Sequence, residues 1–288
     1  MQHTNYIQLA LDLRRGNWLI RDAGIFMPVV NAFFNRQSVP LLEPLPELSL
    51  AAYKMSAADG DVQPVEEDEQ ARRVIVVPVH GAMAKYDYCG SYGTSSLADR
   101  ILLHLSDPSV VGFVIDIDSP GGSANSVAPL VEAISRVKAA GKPVIAHVDS
   151  CYSAAFWVAS QCDAIFADNS LSGLGSIGAY ASFLDDREDK RTGFKVVTVY
   201  APESTDKNIA YRDALDGKPE KMQKELSQLV QHFHTAIKGG RPSLKVDADG
   251  VLSGAEFLAD EAISLGLADG MATLEECVQN VFIRAEFN

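Results

Sequence analysis

The sequence predicts an α/β fold built on a largely parallel sheet, and two observations carry that prediction. Val74–Val79, Val111–Ile117, Pro143–Val148 and Ala164–Ala167 are short runs rich in β-branched residues, too apolar for a sheet with one wet face. Between them lie stretches with helical spacing, Ser95–Leu105 and then Ala124–Ala139, where Val127, Leu130, Val131, Ile134 and Val137 share one stripe. Repeated strand, helix, strand with strands buried on both faces requires crossovers, and crossovers make the strands parallel.

Taken in chain order, residues 1–70 differ from the rest. Pro40, Pro44 and Pro46 punctuate a Leu-rich stretch, and Ala57–Glu69 is acidic and poor in large apolar residues, which reads as an exposed linker ending an N-terminal segment. The main domain is expected over 71–288. Its first strand contains Pro78, a residue suited to an edge or a strand end. Beyond the four strands, Lys218–Lys238 reads as a long amphipathic helix closed by Gly239-Gly240, and Gly254–Leu265 as another closed by Gly266.

The chain has 288 residues, 47% hydrophobic and 22% charged, enough for a real core and unlike a disordered or many-pass membrane protein. Its net charge of −13 repels polyanions and anionic lipid, so neither nucleic acid nor membrane is an expected partner. The apolar stretch Trp18–Phe34 is broken by Arg21, Asp22, Pro28 and Asn31, and no signal peptide or transmembrane helix is expected. The cysteines at 89, 151, 162 and 277 lack disulfide or zinc spacing, so reduced thiols in a cytoplasmic protein and no metal are expected.

Chemistry is concentrated at two turns. Asp118-Ser119-Pro120-Gly121-Gly122 joins a strand to a helix, and two glycines there let backbone N–H groups approach a developing negative charge. The plainer alternative is a tight turn without a ligand. Ser150-Cys151-Tyr152-Ser153-Ala154-Ala155-Phe156-Trp157 follows the third strand, with small residues that let a helix begin tightly packed at Ser153. Ser153 is then either a nucleophile or a simple N-cap. Cys151 competes in principle but lacks a nearby base, and a small buried thiol is its better description. None of the six histidines lies in a polar turn; His147, at the end of the third strand, is the one worth weighing as a base, and lysine is the alternative.

Strand, Asp118–Gly122, helix, Gly141-Lys142-Pro143-Val144, Ser153-Ala154-Ala155-Phe156-Trp157, Asp163–Ala167 and Gly175-Ser176-Ile177-Gly178, in that order, resemble the signal peptide peptidase A family. The Ser-Ala-Ala form is most similar to its phage branch, the capsid-assembly or head-maturation proteases of prophages. The resemblance runs from Val74 to Asp269. It implies a Clp protease/crotonase-like fold of β-β-α and βα units, a serine endopeptidase with a Ser/Lys dyad, no cofactor and a homo-oligomer. It makes Ser153 the nucleophile, Lys207 of Asp206-Lys207-Asn208-Ile209 the base, and Ser176 the residue that orients the lysine. Gly121, with Gly122 beside it, and the Ala154 amide become the oxyanion and substrate-binding groups. Tyr200–Asp206 lacks the glycine usual before the lysine, which keeps Lys190 and Lys195 as reserve bases. A neutral base needs shelter, and Ile209 and Ala210 permit an apolar pocket around Lys207. The implied substrates are peptides or proteins, capsid or scaffold proteins in the phage branch, in the cytoplasm or within a procapsid. A peptide-degrading relative of the bacterial signal peptide peptidases, an inactive assembly protein of the same fold and an acyl-CoA enzyme of the crotonase type are the rival readings.

Overall fold

The computed structural model describes residues 17–20, 47–67, 69–88, 91–182 and 197–287. In chain order its elements are β1 (Asn17–Ile20), β2 (Ala51–Met55), β3 (Val62–Val65), β4 (Arg73–His80), α1 (Thr94–Leu105), β5 (Val110–Ser119), β6 (Gly121–Ser123), α2 (Val127–Ala139), β7 (Val144–Tyr152) and α3 (Ala154–Ala159). There follow β8 (Ala164–Ala167), β9 (Gly173–Gly175), β10 (Tyr180–Ala181), α4 (Ile209–Leu215), α5 (Glu220–Gly240), β11 (Glu256–Leu258), α6 (Ala259–Leu265), β12 (Gly270–Met271) and α7 (Leu274–Ala285).

The main sheet runs β11-β9-β7-β5-β4-β2-β3, with β8 attached to the first half of β7 and β12 to β8. The pairs β4–β5, β5–β7, β7–β8, β7–β9 and β8–β12 are parallel, whereas β2, β3 and β11 join antiparallel at the flanks. This is the α/β, largely parallel architecture that the apolar runs predict. A second, three-stranded sheet has the order β10-β1-β6.

Both faces of the main sheet are covered, which is why its strands read as continuous apolar runs. On one face Ile75, Val77, Phe113, Ile115, Ile117 and Val148 pack in a core with Leu97, Ile101, Leu130 and Ile134 of α1 and α2. On the other, Val74, Val76, Val114 and Ile145 meet Cys277, Val278, Val281 and Phe282 of α7. The latter helix begins with a capping box, Glu276 N–H donating to Thr273 Oγ1 and Thr273 N–H to Glu276 Oε2. Pro78 is tolerated because β2 pairs only with Val74–Val76, so on that flank no ladder bond is lost at Pro78.

Three expectations are corrected. The acidic stretch read as an exposed linker is the turn and second strand of the β2–β3 hairpin, and the sheet already begins at Ala51, upstream of the expected boundary at 71. Its Glu67 accepts from Arg100 Nε at 2.8 Å and lies 2.6 Å from His104 Nε2. Burial alone would raise the Glu67 pKa, but these hydrogen bonds bring it down to about 2. Second, Gly254–Leu265 is not one helix: Phe257 pairs antiparallel with Leu174 in β11, and the helix starts only at Ala259. Third, α5 runs through Gly239-Gly240 rather than ending before them. A Cβ at Gly240 would stand 2.0 Å from the Ser160 carbonyl oxygen, so glycine lets this helix end press against the end of α3.

The hairpin is tied to the sheet through Arg73, whose side chain is 1% exposed. Its Nη2 donates to Asp107 Oδ2 at 2.7 Å and its Nε to the Glu67 carbonyl at 2.8 Å, while Nη1 bonds the Glu69 carbonyl and Ser109 Oγ. Asp107 is held at about 2, first by the Ser109 hydroxyl and amide and then by Arg73. Arg73→Met should therefore lower the unfolding free energy by about 1–3 kcal/mol, because it leaves the carbonyls that the guanidinium satisfied without a donor. Urea titration followed by circular dichroism checks this, and an unchanged midpoint would contradict it.

Candidate active site

Parallel pairing places the two chemically suggestive turns side by side. Ser119 at the end of β5 is level with Cys151 near the end of β7, so the chain leaves both strands at the same rim of the sheet. From β7 it passes through Tyr152 to Ser153, which precedes α3 and is 1% exposed. Ser153 has φ 55° and ψ −117°, a conformation that costs a residue with a Cβ about 1–3 kcal/mol unless its surroundings impose it. Here they do: its N–H donates to the Gly175 carbonyl at 2.8 Å, and its own carbonyl accepts from Trp157 N–H at 3.0 Å. The hydroxyl lies 3.4 Å from the Gly178 carbonyl, a long contact that leaves it weakly held. Behind it, Trp157 stacks on Phe233 of α5 with ring centroids 4.7 Å apart, which anchors α3.

Among the described residues, three that are not glycine have positive φ: Ser153, Ser176 and Asn208. The first two are site residues expected from sequence, and the third adjoins Lys207. Ser176, half-buried with φ 54°, donates its N–H to the Ala255 carbonyl at 2.7 Å. Its loop, from Gly175 to Gly178, supplies the carbonyls that hold the Ser153 amide and meet its hydroxyl. Ser153 and Ser176 are thus brought into one neighbourhood.

The glycine turn forms the facing wall. Ser119 Oγ donates to the Gly81 carbonyl at 2.6 Å and accepts from Gly121 N–H at 3.2 Å, so the Gly121 amide is engaged within its own turn. Met83 N–H donates to the Gly121 carbonyl and Ser123 N–H to the Met83 carbonyl. Because polar groups alternate along a strand, the N–H that β6 turns away from Met83 is that of Gly122. A Cβ at Gly122 would lie 1.9 Å from the Met83 carbonyl oxygen, so only glycine fits. The Gly122 N–H therefore lies on the edge of β6 that faces β1, opposite Leu19, whereas the Gly121 amide is engaged within its own turn.

Lys207 is not placed in the apolar pocket that its neighbours Ile209 and Ala210 suggest. It occupies an exposed turn before α4, where its N–H donates to the Ser204 carbonyl, and among the described residues no lysine is hydrogen-bonded to Ser153. Lys190 and Lys195 lie outside the described residues, as does Cys89. Cys151, Cys162 and Cys277 are buried free thiols. Burial pushes the Cys151 thiol far up, which removes it as a rival nucleophile. Among the described residues, no group of His, Cys, Asp and Glu is suited to a metal.

His147 is committed elsewhere. Its Nδ1 lies 2.7 Å from Asp116 Oδ1 and its Nε2 3.1 Å from Asp168 Oδ1, while His80 Nε2 lies 3.0 Å from Asp116 Oδ2. Burial alone would lower the His147 pKa, but the two carboxylates raise it. Burial likewise would raise that of Asp116, and the two imidazoles drive it well below the carboxylate range. This row across β4, β5 and β7 escapes a local reading of the sequence, although Asp116 and the histidines do interrupt otherwise apolar strands.

A model of peptidase family S49 matches residues 136–287. Protease 4 of Haemophilus influenzae is 25% identical over 212 residues, 72% of this chain and 34% of its own length. Protease 4 of Salmonella typhi is also 25% identical, over 66% of this chain and 31% of its own length, so the chain spans about a third of these relatives. Capsid assembly protease C of Escherichia phage lambda is 22% identical over 238 residues, covering 80% of this chain and 53% of that protein. Among solved structures, the 1510-N membrane-bound stomatin-specific protease aligns with 19% identity and a TM-score of 0.40 over 71% of this chain and 82% of its own.

Two outcomes follow from this geometry. Gly122→Ala should destabilise the fold, because its Cβ would meet the Met83 carbonyl oxygen at 1.9 Å, and a lowered midpoint in urea titration would report this. Asp116→Asn should destabilise the fold by about 3 kcal/mol near pH 5.5, where carboxylate and imidazolium are both charged. The Asp116 contribution is complete above its unfolded pKa of about 3.9 and falls away with acid, whereas that of His147 is complete below about 6.5 and is lost as pH rises through its elevated folded value. The gap between variant and parent should therefore narrow toward pH 9 in denaturant titrations; a gap that widens would refute the charged pair.

Proposed function

We propose that this chain, which belongs to peptidase family S49, is a serine endopeptidase that uses Ser153 as nucleophile and Lys207 as base. The observation that carries the reading is the forced backbone of Ser153, which holds a weakly bonded hydroxyl at the rim of the sheet where the glycine turn also lies. Strain of this kind at a polar residue is maintained by surroundings that over-determine it, and it collects where chemistry is done. In the reaction, Ser153 Oγ attacks the peptide carbonyl carbon and gives its proton to Lys207 Nζ. The carbonyl oxygen, now negative, is received by the amides of Gly122 and Ala154. When the C–N bond breaks, the lysine proton goes to the leaving amine, and water then hydrolyses the ester by the same base. Ser176 orients the lysine. The role of Lys207 rests on the Asp206–Ile209 motif and requires its exposed turn to close on Ser153.

For the substrate, capsid or scaffold proteins are supported by the Ser-Ala-Ala form of the nucleophile segment and by the likeness to a phage capsid assembly protease. A homo-oligomer working in the cytoplasm or within a procapsid fits that reading. No helix among the described residues is long and apolar enough to cross a membrane.

A fluorophosphonate should add to Ser153, detected by intact mass and peptide mapping. Ser153→Ala should reduce hydrolysis of fluorescein-casein to background with the fold intact, and Lys207→Met should reduce it roughly 100-fold or more. Lys190→Met and Lys195→Met should remain active, as should His147→Gln once allowance is made for its lower stability. Full activity of Lys207→Met would remove that lysine from the dyad and leave Ser153 standing.

A further inference from the structure

The second sheet has a feature that the peptidase reading does not require. β1, more than a hundred residues upstream of the glycine turn, lies between β6 and β10 and pairs antiparallel with both. Its register sets Trp18 opposite Ser123 and Tyr180, Leu19 opposite Gly122 and Ile20 opposite Gly121. β6 is the wall whose Gly122 N–H faces away from Met83, and β10 follows directly on the loop that carries Ser176 and Gly178. Running from Asn17 to Ile20, the strand advances along β6 toward the glycine turn. Along β10 the same antiparallel register advances toward Gly178, whose carbonyl meets the Ser153 hydroxyl. Both ladders therefore deliver the end of β1 to the nucleophile.

We infer that β1 occupies the groove in which a substrate strand is bound, so that the chain's own N-terminal segment blocks Ser153 until it is displaced. The inference rests on the peptidase reading and adds to it the form of the ligand: an extended peptide, held by main-chain hydrogen bonds to β6 on one side and β10 on the other. Strand addition of this kind draws its affinity from the backbone and tolerates many sequences, with selectivity left to alternate side chains. A tethered segment competes at high effective concentration, so it excludes a free peptide even when its own pairing is weak. When the groove is open for only a small fraction of the time, the apparent affinity for an external peptide falls by that fraction.

The test uses the full chain. The probe is a fluorogenic peptide with the sequence of residues 15–24, quencher and fluorophore at its ends, together with a fluorophosphonate that reads Ser153 directly. Leu19→Pro removes a backbone donor from β1 and should free the groove, raising kcat/KM for the probe roughly tenfold, mainly through KM. Hydrogen exchange on Ser153→Ala gives a second reading that does not depend on the proline variant. Saturation with the probe peptide should expose the amides of Asn17–Ile20. Turnover no faster in Leu19→Pro than in the parent, or protection of β1 that survives saturation, overturns the inference while fluorophosphonate labelling of both proteins leaves the peptidase reading standing. Failure of both proteins to label with the fold intact overturns both.

Discussion

The parallel pairing of β5 with β7, which sets Ser119 opposite Cys151, decides where the chain can turn and hence where chemistry can be assembled. Parallel neighbours end at the same rim, so the glycine turn after β5 and the serine turn after β7 face each other without any long-range contact designed for the purpose. The rest of the cleft is hung on this pair. β9 extends beside the last residues of β7, which brings the Gly175 carbonyl to the Ser153 amide, and β11 in turn holds β9 through the Leu174–Phe257 pairing. The hydrophobic layers on either face keep β5 buried. A change in register between β5 and β7 would separate the two turns and turn packed side chains of one strand onto the wrong face.

Electrostatics are arranged away from this rim. Arg73 with Asp107, and Glu67 with Arg100 and His104, clamp the hairpin flank. Asp116 with His147 and His80 occupies a row across the middle of the sheet. These pairs hold charge that is internally matched, and the thiols near the core are protonated by burial. The cleft itself is built mainly of backbone groups, hydroxyls and small side chains. That division suits a reaction in which an oxyanion must be received by N–H dipoles already in place.

What could be read from sequence was whatever depended on near neighbours. The β-branched runs, the stripe on α2 and the small residues after Ser153 each determine their own local structure, and they located the sheet and the turn into α3. The misreadings were all of distant pairings. Glu67 belongs to an acidic run that looks solvated, yet its partners Arg100 and His104 are 33 and 37 residues away. Phe257 fits a helical stripe until β9 offers it a strand partner. Gly121 and Gly122 look equivalent in the motif, and only the bonds made by Ser119 and Met83 distinguish them. Lys207 is singled out by motif alone, and no spacing says which way an exposed turn will face.

The backbone of Ser153 has a consequence for how this chain would change over generations. At φ 55° and ψ −117° a glycine would relieve the clash of the Cβ, so the position is one where loss of the side chain stabilises the fold. Most drift is filtered by stability alone, and that filter would favour glycine here. A lineage that kept this architecture only as an assembly component would lose its serine early, with nothing in the packing to resist the change.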